Sequence, residues 1–118
     1  MSELDGLRDA LRAFAEQRDW DQFHSPKNLA TALSVEASEL LEHFQWLTEE
    51  QSRALSSEKA KEVALEMADV LLYLVRLADK MNVDLIREAN AKIEINASKY
   101  PAEKVRGSSR KYTEWSTK

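Results

Sequence analysis

The chain has 118 residues, enough for one compact domain, and its two glycines and two prolines indicate helices rather than a turn-rich β fold. The formal net charge of −4 disfavours nonspecific binding to a nucleic acid polymer, because such binding depends on neutralising phosphates. No cysteine is present, which excludes disulfides, thiolate metal sites and a cysteine nucleophile. The acidic N-terminus and the lack of a long apolar run predict a soluble, cytoplasmic protein without a signal peptide or membrane segment.

Acidic and basic residues are unevenly distributed along the chain. Residues 1–86 contain 9 Lys and Arg against 17 Asp and Glu, a balance of −8, whereas residues 87–118 contain 8 against 4, a balance of +4. A cation site in the body and an anion site near the C-terminus would give this distribution. Solvated helix faces followed by a basic tail would give it as well, so both explanations stay open at this point.

Apolar residues at three- and four-residue spacing predict four helices and therefore an all-α, four-helix bundle-like fold, in one domain over residues 1–118. Ser25 followed by Pro26 is a typical helix start, and Asp84 is a candidate cap for the last helix. A polar connection is expected between the second and third helices, and a basic tail after the fourth. The predicted helices cover residues 3–18, 26–46, 58–80 and 84–98.

Two pairs of carboxylates occupy matched positions beside the apolar faces of the second and third predicted helices. Glu36 and Glu39 form one i, i+3 pair, and Glu66 and Asp69 form the other. If both apolar faces enter one core, the carboxylates converge, and their repulsion favours a bound cation. Oxygen ligands without cysteine or an ExxH pair favour Mg²⁺ or Mn²⁺ over zinc or a di-iron centre. Acidic pairs are also common on solvated helix faces, so an inert helical scaffold is the alternative.

An ordered set of aromatic, acidic and basic motifs covers nearly the whole sequence. Its segments are Arg18-Asp-Trp-Asp-Gln-Phe-His24, Pro26-Lys-Asn-Leu29, Glu36-x-x-Glu39, Phe44-Gln-Trp46, Glu66-x-x-Asp69-Val-Leu-x-Tyr73, Lys92-x-x-x-Asn96, Lys99-Tyr-Pro101 and Ser108-Ser-Arg-Lys-Tyr112. This set resembles the all-α nucleotide pyrophosphohydrolases related to MazG, and within them the dCTP pyrophosphatase branch. The order and number of the motifs make the resemblance far more specific than an isolated ExxE pair.

The resemblance implies hydrolysis of a deoxynucleoside triphosphate to the monophosphate and pyrophosphate, with dCTP or a modified dCTP favoured, as house-cleaning of the nucleotide pool. It implies Mg²⁺ held by Glu36, Glu39, Glu66 and Asp69 while a water attacks the α-phosphorus. Such chemistry suits a metal ion, which neutralises phosphate charge and lowers the pKa of bound water. Glu39 is one candidate for the group that takes the proton of the water, although the sequence does not separate ligand from base.

The same resemblance assigns further side chains to the nucleotide. Trp20 and Trp46 would enclose the base, and Tyr73 would lie near the sugar. Without the resemblance, Trp46 would be read as a core residue and Trp20 as a residue of a subunit contact. His24 is expected to be a structural hydrogen-bonding residue. The remaining nucleotide contacts are expected from polar and basic residues near the C-terminus, namely Lys92, Asn96, Lys99, Arg110 and Lys111.

Leu11 departs from the family pattern, because dCTP-specific members have histidine at this position of the first helix. A broader-specificity dNTP pyrophosphatase is therefore the first alternative function, and a non-catalytic helical interaction module is the second. The resemblance also implies a homotetramer, in line with the apolar surface that four small helices would leave uncovered. Adjoining chains would then contribute to each active site.

Overall fold

The computed structural model describes residues 2–109, and within them every regular element is helical. The predicted all-α fold class is confirmed. None of these helices combines the length and the apolar composition that crossing a bilayer needs. The elements are α1 (Glu3–Gln17), a 3-10 turn (Asp21–Phe23), α2 (Pro26–Glu42), α3 (Glu49–Ser52), α4 (Ser57–Lys80), α5 (Leu85–Lys99) and α6 (Ala102–Val105).

Helix starts follow the capping chemistry that the sequence indicates. The side chain of Ser25 accepts a hydrogen bond from the Asn28 amide, with Pro26 at the first helical position of α2. Ser56 caps α4 in the same way, and the Asp84 side chain accepts from the Arg87 amide at the start of α5. The predicted starts of these helices are therefore confirmed to within one residue.

The end of α2 and two short helices differ from the prediction. Helix α2 ends at Glu42 rather than near Trp46, because the following amides bond three residues back, Phe44 to the Leu41 carbonyl and Leu47 to the Phe44 carbonyl. Thr48 then starts α3 with a capping box, within the segment expected to be a polar connection. A single turn, α6, lies in the segment expected to be an irregular tail.

The chain divides into two compact units after Val83. The first unit contains α1 to α4, and the second contains α5 and α6. The single-domain assignment over residues 1–118 stays a prediction.

In the first unit, α4 packs against both α2 and α1. Leu29 of α2 is the largest side chain that this packing buries completely, with 1% of its surface exposed. Small or branched residues complete the core among the described residues, namely Ala15, Val63, Val75 and Ala78. Many large apolar side chains remain at the surface, including Leu41, Leu65 and Trp46, which is 87% exposed. The unit therefore has a small core and a large apolar surface.

One charged side chain, Arg76 of α4, is buried as deeply as the core residues, with 5% exposure. Its Nη2 donates to Asp21 Oδ1 at 2.6 Å and its Nη1 to Asp79 Oδ2 at 3.4 Å. Arg12 of α1 donates to both carboxylate oxygens of Asp79, and Lys80 donates to Asp21. This set of five residues, called the Arg76 network below, connects α1 and the 3-10 turn to α4. A buried arginine needs such partners, because an unpaired buried charge is strongly unfavourable.

Replacement of Leu29 by alanine should lower the free energy of unfolding by about 2–5 kcal/mol, since it leaves a cavity in the α2–α4 contact. Urea unfolding at one fixed protein concentration measures the loss. Glu42→Ala on the exposed end of the same helix is the control, with a change within about 0.5 kcal/mol. Equal losses of unfolding free energy in Leu29→Ala and Glu42→Ala would contradict the assignment of Leu29 to the core.

The Arg76 network should make stability fall in acid. Hydrogen bonding to Arg12 holds the pKa of Asp79 below its ordinary value, and Lys80 does the same for Asp21. Both carboxylates therefore stabilise the fold above their unfolded-state pKa of about 4, and this contribution is lost as the pH falls through the lower folded-state values.

Asp79→Asn should accordingly unfold at a lower temperature than the wild type at pH 6, and the difference should shrink below about pH 4. Thermal unfolding followed by circular dichroism across this range measures it. Asp19→Asn is a matched control, because Asp19 has a left-handed backbone with φ of 55° that asparagine tolerates. A difference between Asp79→Asn and the wild type that does not change with pH would contradict the ion-pair explanation.

Candidate metal and ligand site

Three of the predicted metal ligands come together where α2 packs against α4. Glu36 and Glu39 of α2 and Glu66 of α4 each place one carboxylate oxygen within 4.8 Å of the others. These three residues are called the carboxylate cluster below. The i, i+3 spacing puts Glu36 and Glu39 on neighbouring positions of α2, and the helix packing supplies the third member.

The cluster has the electrostatics of a cation site. Glu66 Oε2 is buried and has no hydrogen-bond partner among the described residues. The pKa of Glu36 is raised, first by burial, then by the hydrogen bond and charge of Glu66 and by the charge of Asp69. Converging acids with an unpartnered oxygen fit a hard divalent ion, whose preferred ligands are carboxylate oxygens. The donor set therefore suits Mg²⁺ or Mn²⁺.

Asp69, the fourth predicted ligand, lies one helical turn beyond Glu66 on α4. Its charge contributes to the raised pKa of Glu36, but it is not among the three residues whose carboxylate oxygens converge within 4.8 Å. Asp69 also lines a cavity. Its place as a metal ligand stays a prediction.

This cavity has a volume of about 340 Å³ and lies within the first unit. Three aromatic residues, Phe14, Trp20 and Tyr73, form part of its wall, and it is called the aromatic cavity below. The other lining residues are Leu11, Ala15, His24, Asp69, Leu72 and Arg76. Aromatic walls with a few polar groups are typical of small-molecule sites.

A tight reversal after α1 holds Trp20 at this cavity. Asp19 has a left-handed backbone, and the Trp20 amide donates to the Ala15 carbonyl at 2.9 Å. The Trp20 ring meets Phe14 edge-on, with ring centres 5.7 Å apart and planes at 67°. The guanidinium of Arg18 lies over the Phe14 ring, 3.6 Å from its centre. Trp20 is thus fixed by local contacts of the segment that follows α1.

Two of the predicted base and sugar contacts, Trp20 and Tyr73, share the aromatic cavity. Trp46 does not line it and stands 87% exposed after α2. The predicted contacts Lys92, Asn96 and Lys99 lie on α5 in the second unit. Arg110 and Lys111 lie outside the described residues. The nucleotide role of all these side chains stays a prediction.

Two polar residues of the cavity, His24 and Arg76, were not singled out for the site by the sequence patterns. His24 is hydrogen-bonded, as expected of a structural histidine, but it also lines the cavity. Arg76 has no motif of its own and looks like a solvated position of a helix. The one available signal was its place seven residues after Asp69 and three after Tyr73, which puts all three on one helix face.

The profile of the MazG-like family matches residues 31–115, which includes the carboxylate cluster and α4. The chain belongs to the MazG-like family. The resemblance found in the sequence motifs is therefore confirmed. The family assignment also agrees with the all-helical architecture of the described residues.

Similar proteins include human dCTP pyrophosphatase 1, with 45% identity over 113 residues, 94% of this chain and 66% of the human protein. The rat dCTP pyrophosphatase 1 is 42% identical over the same shares of the two chains. The chain thus spans slightly less than two thirds of the length of these relatives. The crystal structure of a pyrophosphatase from Archaeoglobus fulgidus is similar with a TM-score of 0.80 and 39% identity, covering 86% of this chain and 94% of that one.

Divalent cations should stabilise this protein through the carboxylate cluster. Mg²⁺ or Mn²⁺ at a hundredfold excess over its Kd should add about 2.7 kcal/mol to the free energy of unfolding of the wild type, and markedly less to Glu36→Gln. Thermal unfolding with and without the ion measures both. Glu42→Gln on the same helix is the control and should respond like the wild type.

Without an added ion, Glu36→Gln should be at least as stable as the wild type at pH 7. The raised pKa of Glu36 means that its stabilising contribution is lost as the pH rises through the folded-state value. Equal stabilisation of Glu36→Gln and wild type by the ions would contradict the assignment of Glu36 as a ligand.

Proposed function

We propose that this chain is a magnesium-dependent nucleoside triphosphate pyrophosphohydrolase that favours dCTP or a modified dCTP and releases the monophosphate and pyrophosphate. The observation that carries the proposal is that Asp69 lines the aromatic cavity one helical turn after Glu66 of the carboxylate cluster. A metal-bound triphosphate and a base held by aromatic residues need such adjacent sites. The similar human and rat proteins are dCTP pyrophosphatases, which supports the same reaction.

In this proposal, Glu36, Glu39, Glu66 and Asp69 hold Mg²⁺, with Mn²⁺ as a possible replacement. The ion would neutralise phosphate charge and lower the pKa of bound water. The oxygen of a water molecule bonds to the α-phosphorus, the bond from the α-phosphorus to the bridging oxygen of the β-phosphate breaks, and pyrophosphate leaves. A carboxylate of the cluster takes the proton of the water, and Glu39 is our candidate.

The base would stack on Trp20 in the aromatic cavity, with Tyr73 beside the sugar. A flat ring and an aromatic wall are complementary in shape and polarity. The proposed phosphate and sugar contacts of Lys92, Asn96, Lys99, Arg110 and Lys111 rest on the motif resemblance alone. The same holds for the house-cleaning role and for a cytoplasmic location, with which the absence of cysteine agrees.

We also propose that the protein acts as a homo-oligomer, with a tetramer expected from the resemblance. Large exposed apolar side chains support this, because a monomer would leave them in contact with water. Trp46 is the most exposed of them and was predicted to enclose the base. If an adjoining chain placed its Trp46 at the aromatic cavity, Trp46 could be exposed in one chain and still enclose the base in the assembly.

A broader-specificity dNTP pyrophosphatase is the second candidate function. Leu11, where dCTP-specific members have histidine, lines the aromatic cavity. Its apolar side chain offers no hydrogen bond to a base edge, which favours weaker discrimination among bases. This candidate keeps the same reaction and the same metal.

Purified protein should release pyrophosphate from dCTP and 5-methyl-dCTP with Mg²⁺ and not with EDTA. Turnover of the other three canonical dNTPs should be lower. Glu36→Gln and Glu66→Gln should each lower turnover at least about 100-fold, because loss of a ligand removes several kcal/mol of charge stabilisation. Glu42→Gln is the matched control and should keep wild-type rates.

The possible outcomes separate the candidates. Equal turnover of all dNTPs would favour the broader-specificity enzyme, whereas no turnover of any substrate would favour a non-catalytic interaction module. Full activity in both glutamine variants would refute the proposed metal site. Light scattering on the same active preparation gives the mass, and a monomer would refute the proposed oligomer.

A further inference from the structure

The first unit has a further cavity, with a volume of about 450 Å³. Every residue described as lining it carries a charged side chain, and it is called the charged cavity below. Its lining residues are Arg12, Glu16, Asp21, Arg76, Asp79 and Lys80. The aromatic cavity differs in character, because apolar and aromatic side chains form most of its wall.

The same three segments line both cavities. In α1, Ala15 lines the aromatic cavity and the next residue, Glu16, lines the charged cavity. In the segment after α1, Trp20 lines the first and Asp21 the second. In α4, Arg76 is the one described residue that lines both. The two cavities are therefore adjacent, and they share the Arg76 side chain as a wall.

The Arg76 side chain is held in place at this shared wall. Its Nε donates to His24 Nδ1 at 3.1 Å and its Nη2 to Asp21 Oδ1 at 2.6 Å. Its Nη1 donates to Asp79 Oδ2 at 3.4 Å, and the residue is 5% exposed. Turning it aside would break these bonds and leave a buried charge without partners, which is strongly unfavourable. Arg76 is therefore a rigid wall of the aromatic cavity.

Arg76 lies at the end of α4 that is far from the carboxylate cluster. It follows Asp69 by seven residues, which is about 10 Å along the axis of a helix. In the proposed function, the carboxylate cluster holds the triphosphate through its metal ion and the aromatic cavity holds the base. A bound nucleotide would then extend along α4 with its base toward Arg76.

The charge of Arg76 is already matched by its own ion pairs. Asp21 and Asp79 both contact it, and they have further cationic partners in Lys80 and Arg12. An arginine that binds a ligand phosphate would instead keep its donors available. What Arg76 contributes to the aromatic cavity is therefore mainly the space that its side chain fills.

We propose that Arg76 is a specificity-determining residue that closes the base end of the aromatic cavity, so that a pyrimidine fits and the second ring of a purine is excluded. This inference rests on the proposed function and adds a limit on base size to it. It requires no hydrogen bond between Arg76 and the base. It leaves the bond-breaking step to the carboxylate cluster.

Arg76→Ala tests the proposal, because removing the side chain should join the aromatic cavity to the charged cavity. The ratio of kcat/KM for dATP or dGTP to that for dCTP should rise about tenfold or more, the scale on which a close-fitting pocket discriminates by size. The ratio for dTTP to dCTP should stay within about twofold, since both bases have a single ring. Pyrophosphate release with Mg²⁺ measures all four substrates.

The fold of Arg76→Ala should survive, because Asp21 keeps its contact with Lys80 and Asp79 keeps its contact with Arg12. Far-ultraviolet circular dichroism checks this. Arg76→Met is a second variant that retains an unbranched side chain in the shared wall, and its purine to pyrimidine ratio should lie between those of the wild type and Arg76→Ala.

Glu16→Ala is the matched control, because Glu16 lines the charged cavity and does not line the aromatic one. It should keep the wild-type ratios for all four substrates. Added methylguanidinium should lower the purine to pyrimidine ratio of Arg76→Ala toward the wild-type value, since the ion can occupy the place of the missing guanidinium. It should leave Glu16→Ala unchanged.

A wild type that turns over dATP as well as dCTP would overturn this inference and leave the pyrophosphohydrolase intact. An equal fall in kcat/KM for all substrates in both Arg76 variants would show a purely structural role and would also overturn it. A change in the dTTP to dCTP ratio as large as the change for purines would indicate hydrogen bonding rather than size, with the same consequence. A wild type without turnover of any dNTP would refute the proposed function, and this inference with it.

Discussion

The packing of α2 against α4 is the contact on which the candidate site depends. It brings Glu36 and Glu39 to Glu66, close enough for their carboxylate oxygens to share one ion. Burial and neighbouring negative charge raise the pKa of Glu36, and one oxygen of Glu66 has no partner among the described residues. In the absence of an ion these features oppose folding, because like charges converge in a partly buried place. Functional sites are expected to keep groups in arrangements that lower the stability of the fold.

One face of α4 carries most of the polar groups of the site. Glu66, Asp69, Tyr73 and Arg76 follow one another at three- and four-residue spacing, so they form a continuous row along the helix. The row begins at the carboxylate cluster, passes the aromatic cavity and ends at the Arg76 network. The two charged groups differ in kind: the carboxylate cluster contains only acids, whereas the Arg76 network pairs three cationic side chains with two carboxylates.

The Arg76 network and the small core both affect the stability of the first unit. Leu29 is the only large side chain that the unit buries completely among its described residues, so the unit gains little from its core. Ion pairs between elements therefore matter more for fixing the segment that carries Trp20. A buried ion pair adds little net stability, but loss of one partner leaves an uncompensated buried charge and is strongly destabilising. The large apolar surface that remains gives the proposed association of chains its physical basis.

The helices, their starts and the two carboxylate pairs were predictable from the sequence, because periodicity and capping act within a few residues. The end of α2 was not, because hydrogen bonds to carbonyls three residues back, such as Phe44 to Leu41, decide that boundary. Helix α3 was missed although Thr48 and Gln51 have the capping-box pattern that starts it. Only the tertiary structure showed that Arg76 is buried and bonded to His24 and Asp21, which lie 52 and 55 residues away. No local pattern encodes a contact over that distance. The sequence by itself determined which side chains each helix presents, and the packing of the helices decided which of them meet.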